Sequence, residues 1–286
     1  MSIGQQAKQM RLRIYHHMLK TRGWKYRSFL RYLRFFKYIA IAPVRGEFLE
    51  SYYVLMRYLD DVVDGDIALP TGYTDESNYI ISKIKFSHNP KDPEDEVDYL
   101  MLHCFQLAEK FGKNFQEETS DILESLLFDA KRRNKWIIYS REELTWHFHV
   151  LDIRGTIRAT LKIFNDDPQK YTLLEPLGNA CRYQYDIEDF EDDIAAGYIN
   201  IPLEDCEQSG IVKEDLVNKL SPKVNAWLHH HATDGIDLLN EHHDILSGGH
   251  FSLFERLVFK YVYENPARKV FLKQISKRQT DTKPEI

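Results

Sequence analysis

Asp60 and Asp64 lie four residues apart in YYVLMRYLDDVVDG, residues 52–65. On an α-helix that spacing leaves them about 40° apart around the axis, so two carboxylates share one face while Asp61 points elsewhere. Leu55, Leu59, Val62 and Val63 fit an apolar side of the same helix. A second acidic run, RYQYDIEDFEDDIAAGYINIP over residues 182–202, repeats the spacing with Asp189 and Asp193 and places Asp186 on nearly the same stripe. Carboxylates one turn apart repel each other and lose hydration when buried unless a cation sits between them. Oxygen-only ligation of this kind suits Mg²⁺, or Mn²⁺ in its place, bridging to a diphosphate. Either run alone also reads as a solvated acidic helix end; two of them could face each other across a cavity.

In these motifs the sequence resembles the squalene/phytoene synthase family, the head-to-head isoprenyl diphosphate synthases, over residues 43–265. Met56, Arg57, Leu59, Asp60 and Asp64 match the family's first aspartate motif. Leu177, Gly178, Ala180, Asp189, Asp192, Asp193, Gly197 and Pro202 match its second, LGxAxQxxNxxRDxxED with a following Gly and Pro. The stretch IPLEDCEQSGI, residues 201–211, is similar to the element that comes next. The resemblance implies an all-α, single-domain isoprenoid synthase fold over residues 1–286, with helices around a central apolar cavity and two facing Asp-rich helices. It implies condensation of two allylic isoprenyl diphosphates, farnesyl or geranylgeranyl, to a phytoene-, dehydrosqualene- or squalene-type product. Asp60, Asp64, Asp189 and Asp193 would hold Mg²⁺ and assist diphosphate release. Arg57 would be the diphosphate's cationic partner and Tyr53 its neighbour, although Tyr53 suits core packing as well. The alternatives are a class I terpene cyclase or other prenyl-diphosphate-consuming enzyme on this scaffold, or a non-catalytic relative acting in complex assembly.

Several positions depart from the family pattern. Its glutamine, asparagine and arginine in the second motif are Arg182, Tyr185 and Glu188, and its following Arg-x-Tyr is Tyr198 and Asn200. One metal-ligating amide and one phosphate-binding cation are thereby missing. Asp186 could complete the metal site, or it could pair with Arg154 or Arg158. In REELTWHFHVLDIRGTIRATLKIF, residues 141–164, Gly155 matches a small residue beside the prenyl chains, while Arg154 and Arg158 replace small residues and His149 a tyrosine. Arg154 and Arg158, one turn apart, could both reach one phosphate, or they could pair internally with Asp152 or the acidic helices. Asp129 falls where the family often carries an aspartate, and a solvated or core-edge acid fits that position equally.

The elements that must position these groups are helical by periodicity: Ile3–Leu19, Trp24–Ile41, Arg45–Asp64, Asp75–Phe86, Val97–Phe111, Phe115–Asn134, Arg141–Phe164, Leu177–Ala196, Val224–Leu246 and Phe251–Tyr263. A loop is expected over Pro168–Pro176 and a frayed tail over residues 278–286. With 43% apolar residues the chain can build a sizeable core. No apolar run is long enough to span a membrane and no secretory signal is evident. Three cysteines without ligand spacing suggest a reducing compartment, and the location expected is cytoplasmic. No GxGxxG occurs among the 13 glycines, so NADPH finds no support, though the family's reductive members lack that fingerprint too. The histidines of Val224–Leu246 diverge around a helix and suit a solvated face better than a zinc site.

Net charge is −6, but residues 1–46 carry 11 Lys/Arg and no acid, against 27 basic and 44 acidic residues in the remainder. Within the basic amphipathic helices of residues 1–42, cations alternate with aromatics between Trp24 and Tyr38. Such a segment suits peripheral contact with an anionic membrane, or an amphipathic helix packed on an acidic body. Nucleic acid is a competing partner for basic and aromatic residues but is not expected here.

Overall fold

A computed structural model of the chain describes residues 2–21, 31, 33, 34, 42–217 and 221–281, and every regular element among them is helical. The chain groups into two compact units, Met1–Lys131 with Ala159–Asp167, and Arg132–Arg158 with Pro168–Ile286.

In the first unit Pro43 opens the first acidic helix, Pro43–Val63, where a missing N–H costs nothing. Phe48, Tyr52, Val54, Leu55, Leu59, Val62 and Val63 form its inner face. Phe48 stacks on Tyr52 with ring centroids 5.1 Å apart and leans on Phe115 at 4.3 Å. The Tyr52 hydroxyl meets that of Thr119 at 3.1 Å, which fixes the rotation of the helix about its axis. Helix Ile3–Thr21 buries Ala7, Met10, Ile14 and Met18 against helix Glu96–Lys110 and the first acidic helix. Two of its cations meet the body: Arg11 pairs with Glu47 at 3.3 Å and Arg13 pairs with Glu96. Arg34 pairs with Glu50 at 3.5 Å and lies 4.0 Å over the Tyr15 ring. Residues 3–21 therefore follow the packed-helix reading. Apart from residues 31, 33 and 34, the expected helix Trp24–Ile41 with its interfacial aromatics lies outside the described residues.

The second unit holds the second acidic helix, Glu175–Glu188, against helix Pro222–Ser247 and the π-helical segment His149–Ile157. Gly178 permits the latter contact: a Cβ there would stand 3.0 Å from Ile153 and Ile157. The single helix expected over Leu177–Ala196 is interrupted at Asp189, with φ −101° and ψ 4°, before Phe190–Ala195. Like charges one turn apart, Glu188 with Asp192 and Asp189 with Asp193, disfavour a straight helix there. Gly197, at φ +80°, turns the chain so tightly that a Cβ would lie 2.8 Å from the Asn134 backbone.

Two further differences from expectation concern backbone register. Pro168–Leu174 is a 3₁₀ helix where a loop was expected. The last helix does not stop near Tyr263: Leu253–Val258 passes through a π-helical turn, Phe259–Glu264, into Asn265–Asp281. The Asn265 N–H bonds to the Lys260 carbonyl, and this wider turn accommodates Pro266, which has no N–H and would clash in an α-helix interior. The expected frayed tail is helical as far as Asp281, and residues 282–286 lie outside the described residues.

The histidine-rich helix is not uniformly solvated. His242 is 0% exposed, and neither ring nitrogen has a hydrogen-bond partner. Burial, with His243 adding repulsion, pulls its pKa from 6.5 down to about 4. The unfolded chain therefore takes up this proton first as pH falls, and stability present above pH 6.5 is lost progressively toward pH 4. The loss amounts to about 3 kcal/mol. Urea melts of a His242→Phe variant are expected to show a flatter acid limb between those pH values than the wild type.

Candidate active site

Asp60 and Asp64 stand half-buried on the first acidic helix, with Arg57 one turn before Asp60. Arg57 Nη1 lies 2.6 Å from Asp60 Oδ2, and its Nε lies 2.8 Å from Asp61 Oδ1. Asp61, expected to point elsewhere, is 1% exposed and anchors the guanidinium from beneath. Burial pushes the Asp64 carboxyl up to about 8, aided by the charges of Asp60 and Asp129 and opposed by Arg57. The structure thus brings Asp129, on helix Gln116–Arg132, close enough to act on the first pair.

Asp189 is exposed at the helix break, and Asp193 is half-buried one turn on. Burial raises Asp193 to about 7; Arg182 and Arg132 pull it down, while Asp186 and Asp189 push it up. Both acidic runs therefore contain a carboxyl whose pKa is raised toward neutrality, chiefly by burial. The donors are hard oxygens with excess negative charge, the chemistry that a divalent cation relieves. Among the described residues no three or more His, Cys, Asp or Glu side chains form a closed metal cage. Mg²⁺ is commonly held by one or two carboxylates together with substrate phosphates, and the two pairs fit that mode.

Asp186 has a different setting. It is 4% exposed; Arg182 Nη2 reaches its Oδ1 at 2.7 Å, and His231 Nε2 reaches its Oδ2 at 3.2 Å. Burial pushes its carboxyl up, but Arg182 and His231 outweigh that and hold it below the ordinary carboxylate range. His231 lies between Tyr183 and Trp227, with ring centroids at 3.6 and 4.4 Å, and Arg182 covers the Phe148 ring at 4.3 Å. Both carboxylate oxygens are thus engaged by the protein, in a pairing with Arg182.

These side chains line a cavity of about 490 Å³ within the second unit, together with Arg141, Asp205 and Asn179. Trp227 Nε1 donates to Asp205 at 3.0 Å, and Arg141 pairs with the same carboxylate. Charged and aromatic groups alternate around its wall, so this cavity does not suit a prenyl chain.

Beside Tyr198 stands a cation distant in sequence. Arg132, 4% exposed, lies 4.8 Å over the Tyr198 ring and donates from Nη1 to Asn200 Oδ1 at 2.8 Å. Asn200 Nδ2 in turn donates to Asp193 Oδ2 at 2.8 Å, which orients the carboxylate. An Arg132→Met variant leaves Asn200 and Asp193 less constrained. It is expected to lower thermal stability by about 1–3 kcal/mol and to weaken Mn²⁺ binding measured calorimetrically.

Of the remaining expected site residues, Tyr53 and Arg154 are half-buried, and Arg158 is 7% exposed at the end of the π-helical segment. The Arg158 N–H bonds to the Ile153 carbonyl, the wider register that sets these two arginines on the helix. Arg132, His231 and the pairing role of Arg182 had no motif to announce them.

Among the described residues every regular element is helical, and two helical runs carry paired aspartates one turn apart. Squalene synthase HpnC from Alicyclobacillus acidocaldarius superposes with a TM-score of 0.63 and 16% identity, over 85% of this chain and 86% of that one. A dehydrosqualene synthase in complex with ligand superposes with a TM-score of 0.60 and 15% identity, over 98% of this chain and 100% of that one. No protein-family model and no curated protein sequence matches the chain. At these identities the likeness is one of fold.

Proposed function

We propose that the protein is a squalene/phytoene synthase-like prenyltransferase that condenses two allylic isoprenyl diphosphates head to head. The observation that carries this reading is the combination of that fold with two aspartate pairs whose Asp64 and Asp193 carboxyls are raised to about 8 and about 7 by burial and neighbouring charge. Asp60 with Asp64, and Asp189 with Asp193, would each offer a carboxylate pair to Mg²⁺, which would supply charge neutralisation to a departing diphosphate. Arg57, steered by Asp60 and Asp61, would offer a diphosphate its guanidinium, and in the second unit Arg154 and Arg158 are candidate cations for a substrate phosphate. The allylic C–O bond breaks with both electrons leaving on oxygen. The second substrate's double bond attacks the resulting cation, and loss of a proton closes the cyclopropane; this intermediate then loses its own diphosphate, and the rearranged cation sheds a second proton to give the hydrocarbon. The chain's task is to orient these groups and exclude water from the cation. Asp186 serves in this reading as the counter-ion that positions Arg182.

Diphosphate release from farnesyl and geranylgeranyl diphosphate, with Mg²⁺ and then with chelator, tests the reading; release is expected only with metal. The engagement of Asp186 by Arg182 favours one rival, a non-catalytic relative in which an internal cation occupies the second acidic helix. That rival predicts no release with either substrate.

A further inference from the structure

Among the described residues, exposed large apolar side chains concentrate on the last helical stretch. Leu253, Leu257 and Tyr261 are 66%, 46% and 60% exposed, and Leu272 further along is 56% exposed. A spacing of four, carried through the wide π-helical turn, keeps the first three on one stripe. The charges on this stretch are sorted. Its acids turn inward: Glu255 is 4% exposed in a capping box with Ser252, and Glu264 is 3% exposed and paired with Arg268 at 3.2 Å. The outward charges are cations, with Lys260 beside Tyr261 and with Lys269 and Lys273 exposed on either side of Leu272.

We propose that this stripe of Leu253, Leu257 and Tyr261, with the exposed Leu272 further along, docks the protein on anionic lipid headgroups. Exposed apolar side chains bordered by lysines, on a chain of net charge −6, form a local surface complementary to an anionic interface. Leucines and a tyrosine enter the headgroup boundary while the lysines meet lipid phosphates. Self-association through the same stripe would set lysines against lysines across a two-fold axis, which disfavours a second copy as occupant. The inference stands apart from the reaction proposed above and from the basic segment of residues 1–46.

Sedimentation of the full chain with phosphatidylcholine vesicles, with and without phosphatidylglycerol, tests it. Binding is expected only to the anionic vesicles and is expected to weaken at high salt. Combining Leu253→Ser, Leu257→Ser and Tyr261→Ser is expected to lower vesicle affinity roughly tenfold or more with an unchanged melting temperature. Lys269→Glu with Lys273→Glu is expected to lower it as well while leaving the leucines in place. Wild-type affinity in the apolar variant, or equal binding to neutral vesicles, would overturn the proposal. A change of native mass in that variant without lipid would overturn it in favour of self-association.

Discussion

Replacing Asp64 by Asn is expected to lower diphosphate release by about 10²–10³-fold while making the metal-free protein more stable at pH 8. Both effects follow from one feature, a carboxyl raised from 3.8 to about 8 by burial and by Asp60 and Asp129. A raised folded pKa means that the folded chain keeps this proton longer than the unfolded chain. Stability is therefore full below about pH 4 and declines as pH rises toward 8. After solvent screening at a half-buried site the cost at pH 8 is about 2–4 kcal/mol. Asparagine removes the charge and with it the decline. Thermal melts with chelator across this range check the stability arm, and phosphate-coupled turnover checks the activity arm. A variant both destabilised and fully active would contradict this role for the first pair.

Asp186→Ala is expected to destabilise the second unit by about 3–5 kcal/mol, because it strips the partner from the guanidinium of Arg182. His231 loses its acceptor in the same change and keeps only its stacking between Tyr183 and Trp227. The wild-type contribution is present above the ordinary carboxylate range and is lost as pH falls through the lowered folded pKa, so the variant and the wild type converge in acid. A metal-ligand role for Asp186 makes the opposite forecast, a raised Mg²⁺ requirement with little change in melting. Parallel melts and Mg²⁺ titrations of turnover separate the two.

Helix positions were legible in the sequence because apolar spacing alone specifies them: the first acidic helix, the basic helix from Ile3 and the histidine-rich helix begin and end within a few residues of expectation. Backbone register was not. The break at Asp189 and the π-helical turn before Pro266 arise from local repulsion and ring geometry, which periodicity does not record. At the candidate site, the aspartate pairs were visible because i, i+4 spacing is a local property, and Arg57 was marked only by the family motif it resembles. Asp61 points away from the Asp60–Asp64 face as expected, but its role as the buried end of the Arg57 pairing was not read. Arg132 and His231 were invisible because their partners, Asn200 and Asp186, are distant in sequence and meet them only on folding.

The most direct test of the central claim is mass spectrometry of the organic extract after incubation with Mg²⁺ and farnesyl or geranylgeranyl diphosphate. The proposed condensation predicts a diphosphate-free hydrocarbon built from two substrate chains, absent when chelator is added. A hydrocarbon or alcohol containing only one chain would contradict head-to-head condensation and point to a cyclase or hydrolase on the same fold, and unconsumed substrate would contradict catalysis altogether.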